Sequence, residues 1–118
     1  MPTLDQIRAC FSGDRFATEA AGIHILEAEP GRALCEMPLR PIHLNAAGKP
    51  MGGAIFTLAD FAFAVASNHT HHTTVAQQVS INFLSGTRGT RLFELFCQGC
   101  FIFFSKSEQR QSTLEWMV

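Results

Sequence analysis

One carboxylate stands apart in this 118-residue chain. Asp60 is the sole acidic residue between Glu36 and Glu94, and it sits inside the apolar run AIFTLADFAFAVA, residues 54–66. An Asp there lowers helix propensity and is costly to desolvate. Two readings follow from the residue type. Either its face of the helix reaches water or pairs with a neighbour such as an Arg, or Asp60 is a partly desolvated base or nucleophile whose pKa is pushed upward by burial. Just upstream, Gly52-Gly53 opens the same run. Bare backbone N–H groups at the positive end of a helix stabilise a developing oxyanion, and glycine lets a substrate approach closely. Asn45 lies seven residues before Gly52 in a loop bearing Gly and Pro. Its amide is able to orient water or a carbonyl, although the same residue type is common in plain turns.

The spacing of these residues carries a consequence for assembly. Asp60 lies eight residues beyond Gly52, which on a helix is about 12 Å at about 1.5 Å per residue. One carbonyl group cannot touch both, because each contact needs roughly 3 Å. If both act on one substrate they belong to different chains. A two-fold dimer with antiparallel helices would pair Gly52 and Asn45 of one protomer with Asp60 of the other, twice. Composition asks for the same thing. With 16% charged residues, 47% hydrophobic residues, eleven Phe and no Tyr, the chain has little polar surface for a monomer, and a large subunit interface is expected.

The elements that must hold these residues are read from periodicity. Thr3 caps a short helix with Leu4, Ile7, Ala9, Cys10 and Phe11 on its apolar side, Ser12-Gly13-Asp14 breaks it, and Arg15 to Ala21 forms one further turn. Ile23 to Glu29 and Arg32 to Leu39 form a hairpin across Pro30-Gly31. Arg40 to Lys49 is a loop. The run after Met51-Gly52-Gly53 is one long helix, with Pro50 placed where a helix can start without losing a hydrogen bond. Within residues 54–66 its polar positions are Thr57 and Asp60, so the helix is expected to be buried on most sides. A polar loop follows from Asn68 to Thr73, then strands over Thr74 to Leu84, Arg91 to Gln98, Phe101 to Ser105 and Thr113 to Val118. The expectation is a single α+β domain over residues 1–118, an antiparallel sheet wrapped around one long central helix and preceded by a short N-terminal helix.

Other function classes are disfavoured. A net charge of −1 argues against a nucleic-acid binder. No apolar run reaches the roughly 20 residues that span a membrane. Asp5 precedes any apolar run, so no signal peptide is read and a cytoplasmic location is expected. Cys97-Gln98-Gly99-Cys100 lies between Phe-rich, strand-like residues and reads as a hairpin turn rather than a redox or zinc site. His69, His71 and His72 share a polar loop without acidic ligands, so that cluster reads as a solvated loop. Neither a metal nor a cofactor is expected.

The span from Asn45 through Gly48, Met51-Gly52-Gly53 and Asp60 resembles the signature of the PaaI-like acyl-CoA thioesterases of the hotdog superfamily: Asn, Gly, His-Gly-Gly, then Asp eight residues beyond the first paired Gly. The resemblance runs from Asp14-Arg15-Phe16-Ala17 to Ile81-Asn82-Phe83-Leu84. It implies a hotdog fold, a homodimer or homotetramer, and active sites at the dimer interface. It also implies an acyl- or aryl-CoA thioester as the partner molecule, with coenzyme A entering as part of the substrate and not as a cofactor. By the same resemblance Asp60 is the catalytic carboxylate, Gly52 the oxyanion donor and Asn45 the residue that positions water or substrate. Met51 and Gly53 then border the substrate, and Arg88 stands in a turn near the coenzyme A entrance. The chain departs from the pattern in three places. Met51 replaces the His, Ser85-Gly86 replaces Arg-Pro, and the sequence from about residue 93 is atypical, reading as a truncated or altered C-terminal part. These departures leave open a different class, a non-catalytic hotdog module that binds acyl-CoA or only oligomerises.

Overall fold

The computed structural model describes residues 2–68, 78–82, 90–97, 100–105 and 108–117. Thr3 opens α1 (Leu4–Phe11) through a reciprocal capping box: its hydroxyl accepts the Gln6 N–H at 3.2 Å, and the Gln6 side chain accepts the Thr3 N–H at 2.9 Å. Leu4, Ile7 and Phe11 face the core, whereas Ala9 and Cys10 are exposed. The helical repeat carries those two residues to the solvent side, so the apolar face is narrower than expected. Phe11 meets Phe61 edge-on with ring centroids 5.8 Å apart, and Arg8 donates twice to the Ile25 carbonyl at 3.0 and 2.8 Å. These contacts tie α1 to both the long helix and the sheet. The further turn predicted over Arg15 to Ala21 is a π-helical turn, Phe16–Ala20, closed by Ala21 N–H to Phe16 C=O at 2.8 Å.

The hairpin is β1 (His24–Glu29) and β2 (Arg32–Pro38), with a bulge between Ile25 and Glu27. Gly31 takes φ +77°, a conformation that favours glycine, and its N–H donates to the Ala66 carbonyl at 3.0 Å. The turn therefore caps the far end of the long helix α2 (Gly52–Ser67). A 3-10 turn, Pro41–His43, interrupts the loop read over residues 40–49. Helix α2 begins at Gly52, with Met51 as its N-cap, because Pro50 is engaged in a bridge to Leu44. It lies on β2 and β4 (Arg91–Cys97), burying Leu58, Ala62 and Val65 against Ala33, Cys35, Met37 and Leu92.

The remaining strands are β3 (Gln78–Asn82), β5 (Cys100–Ser105) and β6 (Glu108–Met117). All neighbours pair antiparallel in the order β1-β2-β4-β5-β6-β3, giving an α+β architecture. Two outcomes concern the atypical C-terminal sequence. Cys97 stands opposite Cys100 across β4 and β5, and residues 98–99, where the turn is expected, lie outside the described residues. The polar residues Glu108 to Ser112 continue into β6 and do not end before it. Within this stretch β6 pairs with β5, Ser105 standing opposite Glu108 and Phe103 opposite Ser112, and backbone pairing of that kind does not depend on apolar side chains. The His69–His72 cluster, Ser85-Gly86 and Arg88 lie outside the described residues.

Glu94, on β4 opposite Cys35, is fully buried, and neither carboxylate oxygen has a hydrogen-bond partner among the described residues. Desolvation pushes its pKa up to about 9. Burial pushes the neighbouring Cys35 thiol up to about 12, with Glu94 adding to it. Among the described residues, no helix is long and apolar enough to cross a membrane, and no cluster of His, Cys, Asp or Glu is placed to hold a metal ion.

Candidate active site

Helix α2 is buried on most sides but leaves one stripe open. Gly53 and Asp60 are exposed, and Phe56, Thr57 and Ala64 between and beyond them are half-buried. A Cβ added at Gly53 would meet nothing within 4 Å, so the side of the helix start facing away from the sheet is unobstructed. The spacing of three, four and seven residues places this row on a single face.

The helix start is prepared for negative charge. Met51 N–H donates to the His43 carbonyl at 2.8 Å, and the Met51 carbonyl accepts from Ala54 and Ile55. The N–H groups of Gly52 and Gly53 donate to nothing among the described residues, and no acidic side chain lies in the first turn. Among the described residues, two donors at the positive end of a 16-residue helix are thus unengaged.

Asp60 lies two turns further along, in a cleft of about 300 Å³ shared with Asp14, Arg15, Phe16, Ala17, Thr57, Phe61 and Ala64. Its carboxylate makes no hydrogen bond or ion pair among the described residues. Arg15 lines the same cleft, but its guanidinium grips Glu19 at 3.0 and 2.9 Å, so the alternative of an Arg partner is not realised. The residue itself is open to solvent in a single chain. The carboxyl pKa is nevertheless raised, first by desolvation in the cleft and then by the Asp14 carboxylate. Asp60 therefore reaches water, and its carboxyl carries an upward shift caused first by burial.

Asn45 organises its own loop. Its side-chain oxygen accepts the N–H groups of Ala47 and Lys49 at 3.0 and 3.1 Å, and its backbone N–H donates to the Lys49 carbonyl at 2.7 Å. The carboxamide NH₂ has no acceptor among the described residues, so any contact with water or substrate falls to that group. Met51 is 57% exposed and borders an apolar groove of about 450 Å³, whose walls include Phe16, Ile42, His43 and Gly53. This groove and the Asp60 cleft share Phe16 and Thr57, so they run together along one side of α2. Arg88 is outside the described residues. The structure adds Asp14, Phe16, Ile42 and His43 to the site. Their spacing relative to Asp60 gives no periodic signal, because they reach it from the π-helical turn and the loop before α2.

No protein-family profile matches the chain. It is similar to a curated protein of Archaeoglobus fulgidus named "Putative esterase", with 46% identity over 66 residues that make up 56% of this chain and 43% of that protein. The chain spans about half the length of the curated relatives it matches. Its structure superposes on the PaaI protein of the Escherichia coli phenylacetic acid degradation operon with a TM-score of 0.80, at 23% identity over 94% of this chain and 88% of that one. This is a hotdog fold. Zebrafish thioesterase superfamily member 2 shares the hotdog fold with a TM-score of 0.73 at 19% identity, each chain being covered to 100%. The resemblance to PaaI-like hotdog proteins read from residues 45–60 thus holds for the architecture. In this hotdog chain the open stripe of α2 carries Gly53 and Asp60, while half-buried Gly52 is the first residue of the helix, Met51 its N-cap, and Asn45 lies in the loop before it.

Proposed function

We propose that the chain hydrolyses an acyl- or aryl-CoA thioester to the free acid and coenzyme A, working as a dimer with α2 helices antiparallel across the interface. The observation that carries this reading is the pair of unengaged groups on one helix face: free N–H donors at Gly52 and Gly53, and an unpaired carboxylate with a raised pKa at Asp60. In a regular helix Gly52 and Asp60 stand about 12 Å apart. Each therefore completes a site with its counterpart on the other protomer. The thioester carbonyl oxygen sits against the Gly52 N–H, and the apolar groove beside Met51 receives the acyl group. Asp60 of the other protomer takes a proton from water as the hydroxyl oxygen bonds to the carbonyl carbon, or attacks that carbon directly, in which case loss of the thiolate leaves an acyl–Asp60 anhydride that water hydrolyses to the free acid and the restored carboxylate. The charge that develops on oxygen is held by the N–H donors and the helix dipole. Collapse breaks the C–S bond, and the departing thiolate takes a proton. Asn45 holds water or substrate through its free NH₂. The similarity to a protein named as an esterase and to a thioesterase-superfamily fold supports the same chemistry.

The test is hydrolysis of a panel of acyl- and aryl-CoA thioesters by the wild type and Asp60→Asn. Loss of a base or nucleophile is expected to reduce kcat by about 10²–10⁴-fold. Equal rates on every substrate would remove Asp60 from the chemistry. A second reading rests on Met51. It stands where the resemblance has His and offers a soft apolar side chain in place of a hydrogen bond, which would suit a hotdog module that binds acyl-CoA without turning it over. Tight binding with no hydrolysis by the wild type would select that reading.

A further inference from the structure

The groove wall contains a buried histidine that the reaction does not touch. His43 is 4% exposed and hydrogen-bonds through both ring nitrogens. Nδ1 faces the Arg40 backbone N–H at 2.9 Å, and Nε2 faces the Ala21 carbonyl at 2.7 Å. The Arg40 N–H can only donate and the Ala21 carbonyl can only accept. The partners therefore fix the ring as the neutral tautomer, with Nδ1 accepting and Nε2–H donating.

The backbone of the same residue reaches the other way. The His43 carbonyl accepts the Met51 N–H at 2.8 Å, immediately before the open donors of Gly52 and Gly53. Residues 44–50, which include Asn45, form a loop between these two points, closed by the Leu44–Pro50 bridge and the Asn45–Lys49 bonds. At the far side, Arg40 donates from its guanidinium to the Ala20 carbonyl, so two side chains from one short segment grip the end of the π-helical turn. Gly22 makes that grip possible. It takes φ +71°, and a Cβ there would come within 3.2 Å of the Arg40 guanidinium.

We propose that His43 is a positioning residue for the oxyanion donors, a strap from Ala21 to Met51 that sets the direction of the Gly52 and Gly53 N–H groups. It does so without contacting substrate, and it holds the base of the Asn45 loop in the same act. A buried ring satisfied at both nitrogens anchors the residue, and the His43 N–H bond to the Arg40 carbonyl at 2.9 Å holds the backbone that carries its own carbonyl. The free N–H groups of a helix start depend on their neighbours for aim, and a misplacement of about 1 Å at a reacting group is worth about 10²-fold in rate. The catalytic part of this inference rests on the thioesterase reading; the structural part does not.

The experiment uses three variants of the full chain. His43→Asn keeps an acceptor toward Arg40, His43→Gln keeps a donor toward Ala21, and His43→Leu keeps neither. Kinetics on the best thioester substrate are read per folded molecule, alongside the amide resonances of Gly52 and Gly53 by ¹H–¹⁵N NMR. The expected result for His43→Leu is a kcat lower by about 10–100-fold with KM nearly unchanged, together with displaced Gly52 and Gly53 resonances. Asn and Gln are expected to fall between Leu and wild type, and they carry the test if the Leu variant does not fold. A role confined to stability would lower the melting temperature while leaving kcat per folded molecule and both resonances in place; that result overturns the proposal. If the wild type turns over no thioester, the hydrolase reading fails and the resonances alone decide the role of His43: displacement supports the strap and constancy overturns it.

Discussion

Asp60 must be ionised to act as base or nucleophile, so the direction of its pKa shift fixes the sign of the pH dependence. Desolvation and then Asp14 raise it above the ordinary value of 3.8. Activity is therefore expected to fall, as pH is lowered, at a higher pH than an unperturbed carboxylate would give, and Asp14→Asn should move that acid limb of kcat/KM downward. A limb unmoved in Asp14→Asn would separate the two carboxylates. Glu94 makes a prediction of a different kind, about stability. The ordinary glutamate loses its proton near 4.5, whereas the buried Glu94 holds it to about 9. Between these values the folded chain binds one more proton than the unfolded chain, so this residue's contribution worsens as pH rises. Removing a buried unsatisfied polar group is worth about 1–3 kcal/mol. Glu94→Leu should accordingly raise the urea midpoint, and more so at about pH 8 than at about pH 5. An equal midpoint at both values would show that Glu94 is not held neutral in the fold.

Helix α2 was legible before the structure was known because its sequence violates the usual amphipathic pattern. A stretch with Thr57 and Asp60 as its polar positions has to be covered on most sides; of the residues singled out for chemistry on this helix, Gly53 and Asp60 are exposed and Gly52 is half-buried. The supports at its two ends were not legible. Gly31 N–H to Ala66 C=O and Met51 N–H to His43 C=O are backbone contacts, and backbone contacts leave no mark on residue type. Glu108 to Ser112 escaped recognition as strand for a related reason, since the pairing that makes this part of β6 a strand is with the backbone of β5. Glycine at 22 is a signal of another sort, because its φ of +71° combines with the close Arg40 guanidinium. Gly22→Ala is expected to cost about 1 kcal/mol or more through the left-handed backbone alone. Chemical denaturation would measure it, and an unchanged midpoint would show that the turn relaxes.

In the whole molecule, one side of α2 is bordered by exposed apolar residues. Phe16 and Ile42 are 71% and 73% exposed, and together with Met51 they border the open stripe of α2. Low charge content suggested an interface, and the proposed dimer would form on this surface. The same surface carries Gly53 and Asp60 and borders Met51, so in the proposed dimer the two halves of the site would meet their counterparts there. The most direct measurement mixes two inactive variants. Asp60→Asn removes the carboxylate, and Gly52→Pro removes the oxyanion N–H while suiting the first position of a helix. After subunit exchange at equal concentrations, half the dimers are mixed and each carries one intact site, so thioester hydrolysis is expected to recover to about one quarter of the wild-type rate. Mixtures that stay as inactive as the separate variants would contradict a site shared between protomers.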